Sequence, residues 1–380
     1  MAAEIVGSDL AMSPLQMSLT VQQMLINQTQ NRGNAMTTYR TALLLALASL
    51  VACGDVDPTV GSEVETDTFR QALPSAEDVS LDYGADGAAR QALNGDYSLI
   101  AGLTAHAVVG TNATMVAHFA LMEYVSNLPP TEAGEDFRVW QGEHEELTVR
   151  VRADRVEVPE GLRYDYTLSG RVTADGGELL PVITGHVVRV GVVDDEAPRN
   201  GFGIVRFHFE NLDTLEPERE IGGKARVSFR KEGRAHQVHV RFIDVRTPDD
   251  PYFPSAAEYV YAVQPDESGA MAWYSRGDVK KDGEPFEDVA VHSVWRADKS
   301  GIGSGFVTGG SLEVDYWHLL ECWDPTFIKG YGSLATPGLT LPSGDAASCF
   351  ARPENLEVPE QQEVLPDEDP AIPGPIGASN

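Results

Sequence analysis

Apolar and polar residues alternate along much of the second and third hundred residues of the chain. The clearest runs are centred on Val149, Tyr166, Phe207, Val227 and Val240, and similar runs recur at 259–263, 271–274 and 289–295. A period of two is typical of a strand with one buried face. Turn-forming clusters separate the runs: ADGG at 174–177, DDEAPRNG at 194–201, KEG at 231–233, DESG at 266–269 and KKDGE at 280–284.

Short connections between neighbouring strands predict antiparallel hairpins. No segment of helix length separates the strands, which disfavours parallel crossovers. A meander of about ten or more strands usually curls or closes. The pattern therefore predicts a mainly β (α+β) fold, an antiparallel meander that forms a curved sheet or a barrel.

One helical pattern precedes the strands, between Tyr97 and Leu128. Its apolar residues recur at helical spacing at Met115, Phe119, Met122 and Val125 or Ser126. Asn112 or Thr114 is placed to cap a break near Gly110, and Pro129 and Pro130 end the helix. We expect this long N-terminal helix to pack on the sheet through its apolar stripe.

An export signal is predicted within the first 53 residues. The apolar run 42–52 is too short for a membrane-spanning helix, which needs about 20 residues, but it fits the apolar region of a signal peptide. Read from Met36, MTTYRTALLLALASLVAC has a basic start at Arg40 and ends in Ala52-Cys53. This ending resembles the lipobox of bacterial lipoproteins, in which the cysteine is acylated and becomes the mature N-terminus.

We therefore expect residues 36–52 to be a lipoprotein signal peptide and Cys53 to carry the lipid anchor. Residues 1–35 are interpreted as an over-long gene start, with a genuine cytoplasmic extension as the alternative. The alternative for the apolar run is a buried helix with a core cysteine, which Gly54, Asp55 and Pro58 disfavour.

The net charge of −30 argues against nucleic acid as a partner and against electrostatic attraction to anionic lipid. The acidic stretch 53–72 is predicted to be a flexible tether, residues 73–351 a single β-rich domain, and residues 352–380 a disordered acidic tail. That tail contains seven acids and no base after Arg352. We interpret it as solubilising in preference to a binding arm.

Two cysteines remain once Cys53 is acylated. Outside the inner membrane the redox conditions allow a disulfide between Cys322 and Cys349. Two separate buried thiols are the alternative.

No motif for catalysis or for a cofactor occurs in the sequence. The stretch EHEE at 143–146 is interpreted as a polar turn, and GIGSG at 301–305 as a flexible hairpin. His236 and His239 are three residues apart, which places them on opposite faces of a strand. Glu321-Cys322-Trp323-Asp324 is either a polar pair beside an exposed aromatic or, as we prefer, a structural element. We expect no enzyme activity, no cofactor and no metal.

Several stretches carry a resemblance to a known group of proteins. They are LPSAEDVSLDY, NATMVAHFALMEYVSNLPPT, the pair Trp140 and Gly142, GGKARVSF, and VWRADKSGIGSGFVTGGSL followed by ECWDPTFIKGY. The chain from Leu73 to Tyr331 resembles a group of exported lipoproteins that are abundant in myxobacteria and have no assigned function. One departure is Ser304, where an arginine is expected after Gly303. The resemblance implies an exported β-rich lipoprotein and transfers no catalytic residue.

The resulting expectation is a lipid-anchored protein of the cell envelope, facing the periplasm or the cell surface. Its expected partners are the membrane, through the anchor at Cys53, and an envelope protein or a hydrophobic ligand. A structural or interaction module is the preferred role. The alternative is a carrier of lipid or of a small hydrophobic ligand, with a cavity between the curved sheet and the helix.

Overall fold

The computed structural model describes residues 63–80, 83, 97–144, 146–190, 200–217, 222–246, 256–277, 285–350 and 369. The predicted signal peptide, Cys53, and all of the predicted tail except Asp369 lie outside these residues. The signal peptide, the lipid anchor at Cys53 and the disordered acidic tail therefore stay predictions.

Fifteen strands in the described residues form one antiparallel sheet in which every strand pairs with its neighbours in the sequence. They are β1 Glu132–Ala133, β2 Phe137–His144, β3 Leu147–Val158, β4 Gly161–Val172, β5 Leu180–Arg189, β6 Gly201–His208, β7 Gly222–Glu232, β8 Ala235–Arg246, β9 Ala256–Val263, β10 Gly269–Gly277, β11 Glu287–Trp295, β12 Gly301–Gly309, β13 Tyr316–Trp323, β14 Lys329–Thr336 and β15 Leu339–Gly344. The predicted mainly β antiparallel meander is confirmed. The sheet is open, with β1 and β15 as its edges, so the closed alternative is not the one observed.

The alternation in the sequence corresponds to two faces of this sheet. On β6, Val205 and Phe207 are buried, whereas Ile204 and Arg206 between them are only half-buried. We call the face with Val205 and Phe207 the inner face and the opposite one the outer face. Burial of apolar side chains on the inner face is the main term that stabilises such a sheet.

Four α-helices accompany the sheet in the described residues: α1 Glu63–Ala72, α2 Ala76–Val79, α3 Leu99–Ser126 and α4 Phe209–Leu215. Helix α1 corrects the prediction of a flexible tether over 53–72, since Glu63–Ala72 is helical. Helix α3 runs without the break predicted near Gly110, and its N-cap is Ser98, not Asn112 or Thr114. Helix α4 is a short helix inside the meander, between β6 and β7.

Helix α3 lies on the inner face and approaches strands near both edges of the sheet. Thr104 near its start donates a hydrogen bond of 2.9 Å to Ser293 on β11, and Phe119 near its end packs on Phe207 of β6. The backbone of the helix lies against β11, β12 and β13 near one edge of the sheet and against β2 and β3 near the other. Contact with strands from both ends of the sheet explains why nearly all of its described side chains are buried or half-buried.

Helix α1 is held on the same face by one aromatic side chain. Phe69 is fully buried, and its ring lies 4.9 Å from the guanidinium carbon of Arg138 and 5.3 Å from that of Arg155. It also meets Tyr164 edge to face at 5.5 Å. Arg70 donates hydrogen bonds to the carbonyl oxygens of Ser126 and Leu128, which ties α1 to the end of α3. The sequence contains little apolar signal here because the contact depends on cation–π packing.

The stretch GIGSG is part of strand β12, which corrects the prediction of a flexible hairpin. A Cβ at Gly303 would overlap Ile100 Cγ2, and a Cβ at Gly305 would lie 3.0 Å from Ile100 Cδ1. A Cβ at Gly301 would overlap the ring of Trp323. The glycines therefore let the first turn of α3 and a tryptophan approach the backbone of the sheet directly.

Candidate interaction surface

Cys322 on β13 and Cys349 are joined by a disulfide bond in the structure, with their Cα atoms 5.4 Å apart. Cys349 follows a short 3-10 helix, Ala346–Ser348, that comes after β15. The bond therefore ties the far edge of the sheet to β13. The predicted site residue Cys53 lies outside the described residues.

The residues that flank Cys322 support the structural interpretation of ECWD. Trp323 is 3% exposed, and its ring nitrogen donates a hydrogen bond of 3.0 Å to the carbonyl oxygen of Lys299. The Asp324 carboxylate accepts hydrogen bonds from the backbone nitrogens of Thr326 and Ile328, which fixes the turn into β14. Trp323 is therefore buried in the fold, and the exposed Asp324 carboxylate is engaged in holding the turn.

Glu321 is the one buried acid of this motif. Its Oε2 accepts hydrogen bonds from the Ser98 hydroxyl at 2.8 Å and from the backbone nitrogen of Ile100 at 3.0 Å. Lys329 Nζ lies 3.7 Å from its other oxygen. Burial raises the pKa of Glu321 above its ordinary value, and these partners offset only part of that effect. The carboxylate caps helix α3 and is not accessible to a ligand.

The outer face has a different character, because three arginines lie side by side across its central strands. Arg206 on β6 is directly opposite Arg226 on β7, which is directly opposite Arg241 on β8. Like charges that are directly opposite each other in a sheet destabilise it unless an anion lies between them. The three guanidinium groups of this row therefore require nearby carboxylates to neutralise their charge. The row is positively charged even though the chain as a whole is strongly acidic.

The Arg241 end of the row is neutralised within the sheet. Glu258 on β9 lies directly opposite Arg241 and accepts a hydrogen bond of 2.8 Å from its Nε. The same Glu258 oxygen also contacts Nε2 of His239. Burial by itself would raise the pKa of Glu258, but the hydrogen bonds and charges of His239 and Arg241 outweigh it and lower the pKa. Glu258 therefore remains a carboxylate, although its side chain is only 4% exposed.

The Arg206 end of the row holds a carboxylate from a distant part of the chain. Arg206 Nε lies 2.8 and 3.0 Å from the two carboxylate oxygens of Asp369, and its Nη2 donates to Oδ2 as well. Arg226 Nη1 lies 3.5 Å from Asp369 Oδ1. Asp369 is thus held in a two-pronged arrangement by Arg206 and in addition by Arg226.

Two histidines and a threonine lie near Arg206 on the outer face. His208 Nε2 and the Thr184 hydroxyl are 3.1 Å apart and share a hydrogen bond. Burial lowers the pKa of His208 and that of His186 below the ordinary value of 6.5. Both imidazoles are therefore mostly neutral at pH 7, so the positive charge around Asp369 comes chiefly from the guanidinium groups.

No sequence motif marks this surface. Arg206, Arg226 and Arg241 each occupy an ordinary polar position of an alternating run, and only the register of β6, β7 and β8 places them in one row. The sequence indicates the row only through an excess of arginine over glutamate and aspartate at the polar positions of these three strands. Asp369 lies in the segment that the sequence predicts to be a disordered tail. No sequence pattern therefore indicated that its carboxylate would pair with Arg206 and Arg226.

The described residues contain no group of three or more His, Cys, Asp or Glu side chains arranged for a metal ion. His239 and His236 lie on opposite faces of β8, as their spacing predicted, since His239 contacts Glu258 outside and His236 packs on the ring of Tyr261. Among the helices of the described ranges, none has the length and apolar character that a membrane crossing requires.

Comparisons with protein-family models, with curated proteins and with solved structures found no match to this chain.

Proposed function

We propose that the chain is an exported, lipid-anchored protein of the cell envelope, and that its sheet serves as an interaction module whose working surface is the outer face. The observation that carries the interaction role is the arginine row, which holds the carboxylate of Asp369 from a segment remote in the sequence. The anchoring part rests on the sequence from Met36 to Cys53. The disulfide between Cys322 and Cys349 fits an oxidising compartment.

The packing of the inner face favours this role over that of a hydrophobic carrier. Ile100 fills the space above Gly303 and Gly305, and Phe119 is 2% exposed against Phe207. A carrier needs an apolar cavity of roughly 300 Å³ or more. At these two positions the interface between α3 and the sheet is instead filled by side chains, which leaves the outer face as the surface for contacts with other molecules.

Metabolic labelling with an alkyne fatty acid in a bacterial host tests the anchor. We expect the full chain to be labelled and to sediment with membranes, and the Cys53→Ser variant to be unlabelled. Cys349→Ser is the matched control, because it replaces another cysteine and should retain the label. Labelling of the Cys53→Ser variant would refute the anchor.

Native mass spectrometry of the Cys53→Ser protein tests the carrier alternative separately. We expect a single mass without bound lipid. A lipid that co-purifies in equimolar amount would favour the carrier over the interaction module.

A further inference from the structure

We propose that Arg206 and Arg226 form a binding site for an acidic peptide segment on the outer face of the sheet, and that the chain's own acidic C-terminal segment around Asp369 occupies this site. The site would then bind an acidic segment of another protein only when its own segment is displaced. This inference rests on the interaction role proposed above and deepens it by naming the class of ligand, and it does not depend on the lipid anchor.

The charge balance of the arginine row supports this site. Arg241 has its carboxylate from the neighbouring strand, in Glu258, whereas the carboxylate between Arg206 and Arg226 comes from Asp369. The strand on the other side of Arg206 presents Thr184 at the opposite position, which carries no charge. Among the described residues, the carboxylate that pairs with Arg206 is that of Asp369, which comes from outside the sheet.

The geometry of the contact between Arg206 and Asp369 is that of a specific carboxylate site. The guanidinium group of Arg206 donates hydrogen bonds to both carboxylate oxygens of Asp369. This arrangement distinguishes specific recognition of a carboxylate from non-specific attraction between charges. The side chains are partly shielded from water, with Arg226 15% and Asp369 24% exposed. Partial shielding strengthens an ion pair relative to one on the open surface.

The C-terminal segment has the composition and the length that this site requires. Asp369 ends the run Asp367-Glu368-Asp369, in a tail without a base after Arg352. Phe350 packs on Arg296, just after β11, with 4.4 Å between the ring centre and the guanidinium carbon. Asp369 follows Phe350 by 19 residues, which can span up to about 63 Å. The five strand spacings from β11 to β6 amount to about 24 Å, so the segment can reach the site within one chain.

A peptide competition on the full-length chain tests the proposal. The probe is a fluorescein-labelled peptide of residues 361–380, and its binding is followed by fluorescence anisotropy at low and at physiological salt. We expect Asp369→Asn in the protein to bind the peptide at least about tenfold more tightly than the unchanged chain, because the resident carboxylate no longer competes.

Substitutions on the sheet then locate the site. In the Asp369→Asn background, Arg206→Gln and Arg226→Gln should each weaken binding about tenfold. Arg152→Gln is the matched control, since it removes an arginine from the same face whose partner is Asp154 on its own strand. In the peptide, the change Asp369→Asn should weaken binding and Glu363→Gln should not. Circular dichroism and thermal midpoints identify any variant that fails to fold, and the peptide variants test the site independently of that.

Three results would overturn the proposal. Equal binding to the unchanged chain and to the Asp369→Asn variant would show that Asp369 does not occupy the site. Equal weakening by Arg206→Gln and Arg152→Gln, or by the two peptide changes, would show diffuse attraction between charges. A dimer of the unchanged chain that Asp369→Asn dissociates would show that the segment comes from a second copy. None of these results bears on the acylation of Cys53, so the anchor and the binding site are tested separately.

Discussion

Ser98 and Glu321 are 223 residues apart in the chain, and the hydroxyl of Ser98 donates a hydrogen bond of 2.8 Å to the carboxylate of Glu321. The same hydroxyl oxygen accepts a hydrogen bond from the backbone nitrogen of Ala101, as an N-cap does. A carboxylate on β13 thereby extends the cap of α3 and faces the positive end of the helix dipole. The start of the helix is thus positioned by the far end of the sheet.

This arrangement predicts an unusual pH dependence of stability. Because burial raises the pKa of Glu321 above 4.5, the folded protein retains a proton that the unfolded chain has lost. The free energy of unfolding should therefore fall as pH rises from about 4.5 through the folded pKa. Glu321→Gln keeps an acceptor for Ser98 and cannot ionise, so this fall should disappear. Urea midpoints between pH 4 and pH 8 measure it, and parallel curves for the two proteins would contradict the assignment.

The buried pair of Asp78 and Arg189 should contribute strongly to stability. Arg189 Nη2 lies 2.9 Å from Asp78, and the side chains are 2% and 0% exposed. Asp78→Asn leaves a buried guanidinium without its counter-charge and should cost about 3–5 kcal/mol. Asp154→Asn is the matched control, because its partner Arg152 is exposed, and should cost less than about 1 kcal/mol. Equal losses in denaturant titrations would refute the prediction.

Asp78 also predicts behaviour in acid. Burial would raise its pKa, but the charge and hydrogen bonds of Arg189, with smaller effects of Ser75 and Lys231, outweigh it and lower the pKa below 3.8. Its contribution is therefore present above pH 3.8 and is lost as pH falls through the folded pKa. The acid-induced loss of stability should be smaller in Asp78→Asn than in the unchanged chain. An unchanged slope below pH 4 would argue against this role.

Gly303 should be required for the seating of α3. In Gly303→Ala the new Cβ would overlap Ile100 Cγ2 and lie 2.6 Å from the carbonyl oxygen of His292. We expect a loss of about 1–3 kcal/mol from overpacking. Gly177→Ala is the control, since a Cβ there meets nothing within 4 Å. The thermal unfolding midpoints of both variants measure this loss. A Gly303→Ala protein as stable as the control would contradict the packing of Ile100 against β12.

Phe119 distinguishes a packed interface from a lid over a cavity. Its ring is 2% exposed and lies 6.0 Å from that of Phe207, centre to centre. Phe119→Ala should cost about 3–5 kcal/mol in a packed core. Leu339→Ala, at a side chain 39% exposed, should change stability by less than about 0.5 kcal/mol. A loss below about 1 kcal/mol at Phe119 would favour the carrier.

Thiol chemistry tests the bond between Cys322 and Cys349. The Cys53→Ser protein, exported, denatured and left unreduced, should show no free thiol with a maleimide reagent. After reduction it should show two. Two free thiols before reduction would indicate separate cysteines in the exported protein.

The sequence by itself determined the strand-rich class of the fold and its antiparallel order. Runs such as those around Val149, Val227 and Val240 have period two because each strand buries one face. This alternation is visible within a few consecutive residues of the sequence. The turn-forming clusters between the runs can likewise be predicted from a few consecutive residues. Antiparallel pairing of successive strands then follows from short connections.

Only the tertiary structure decided the features that depend on which distant segments meet. Gly303 lacks a side chain, so its role beside Ile100 leaves no apolar signal, and the stretch looked like a hairpin. Phe69 docks α1 through two arginines of the sheet, although the local sequence resembles a tether. Arg206, Arg226 and Asp369 meet because of strand register and the path of the chain. Register and chain path arise from the packing of the whole fold, so no local pattern contains them.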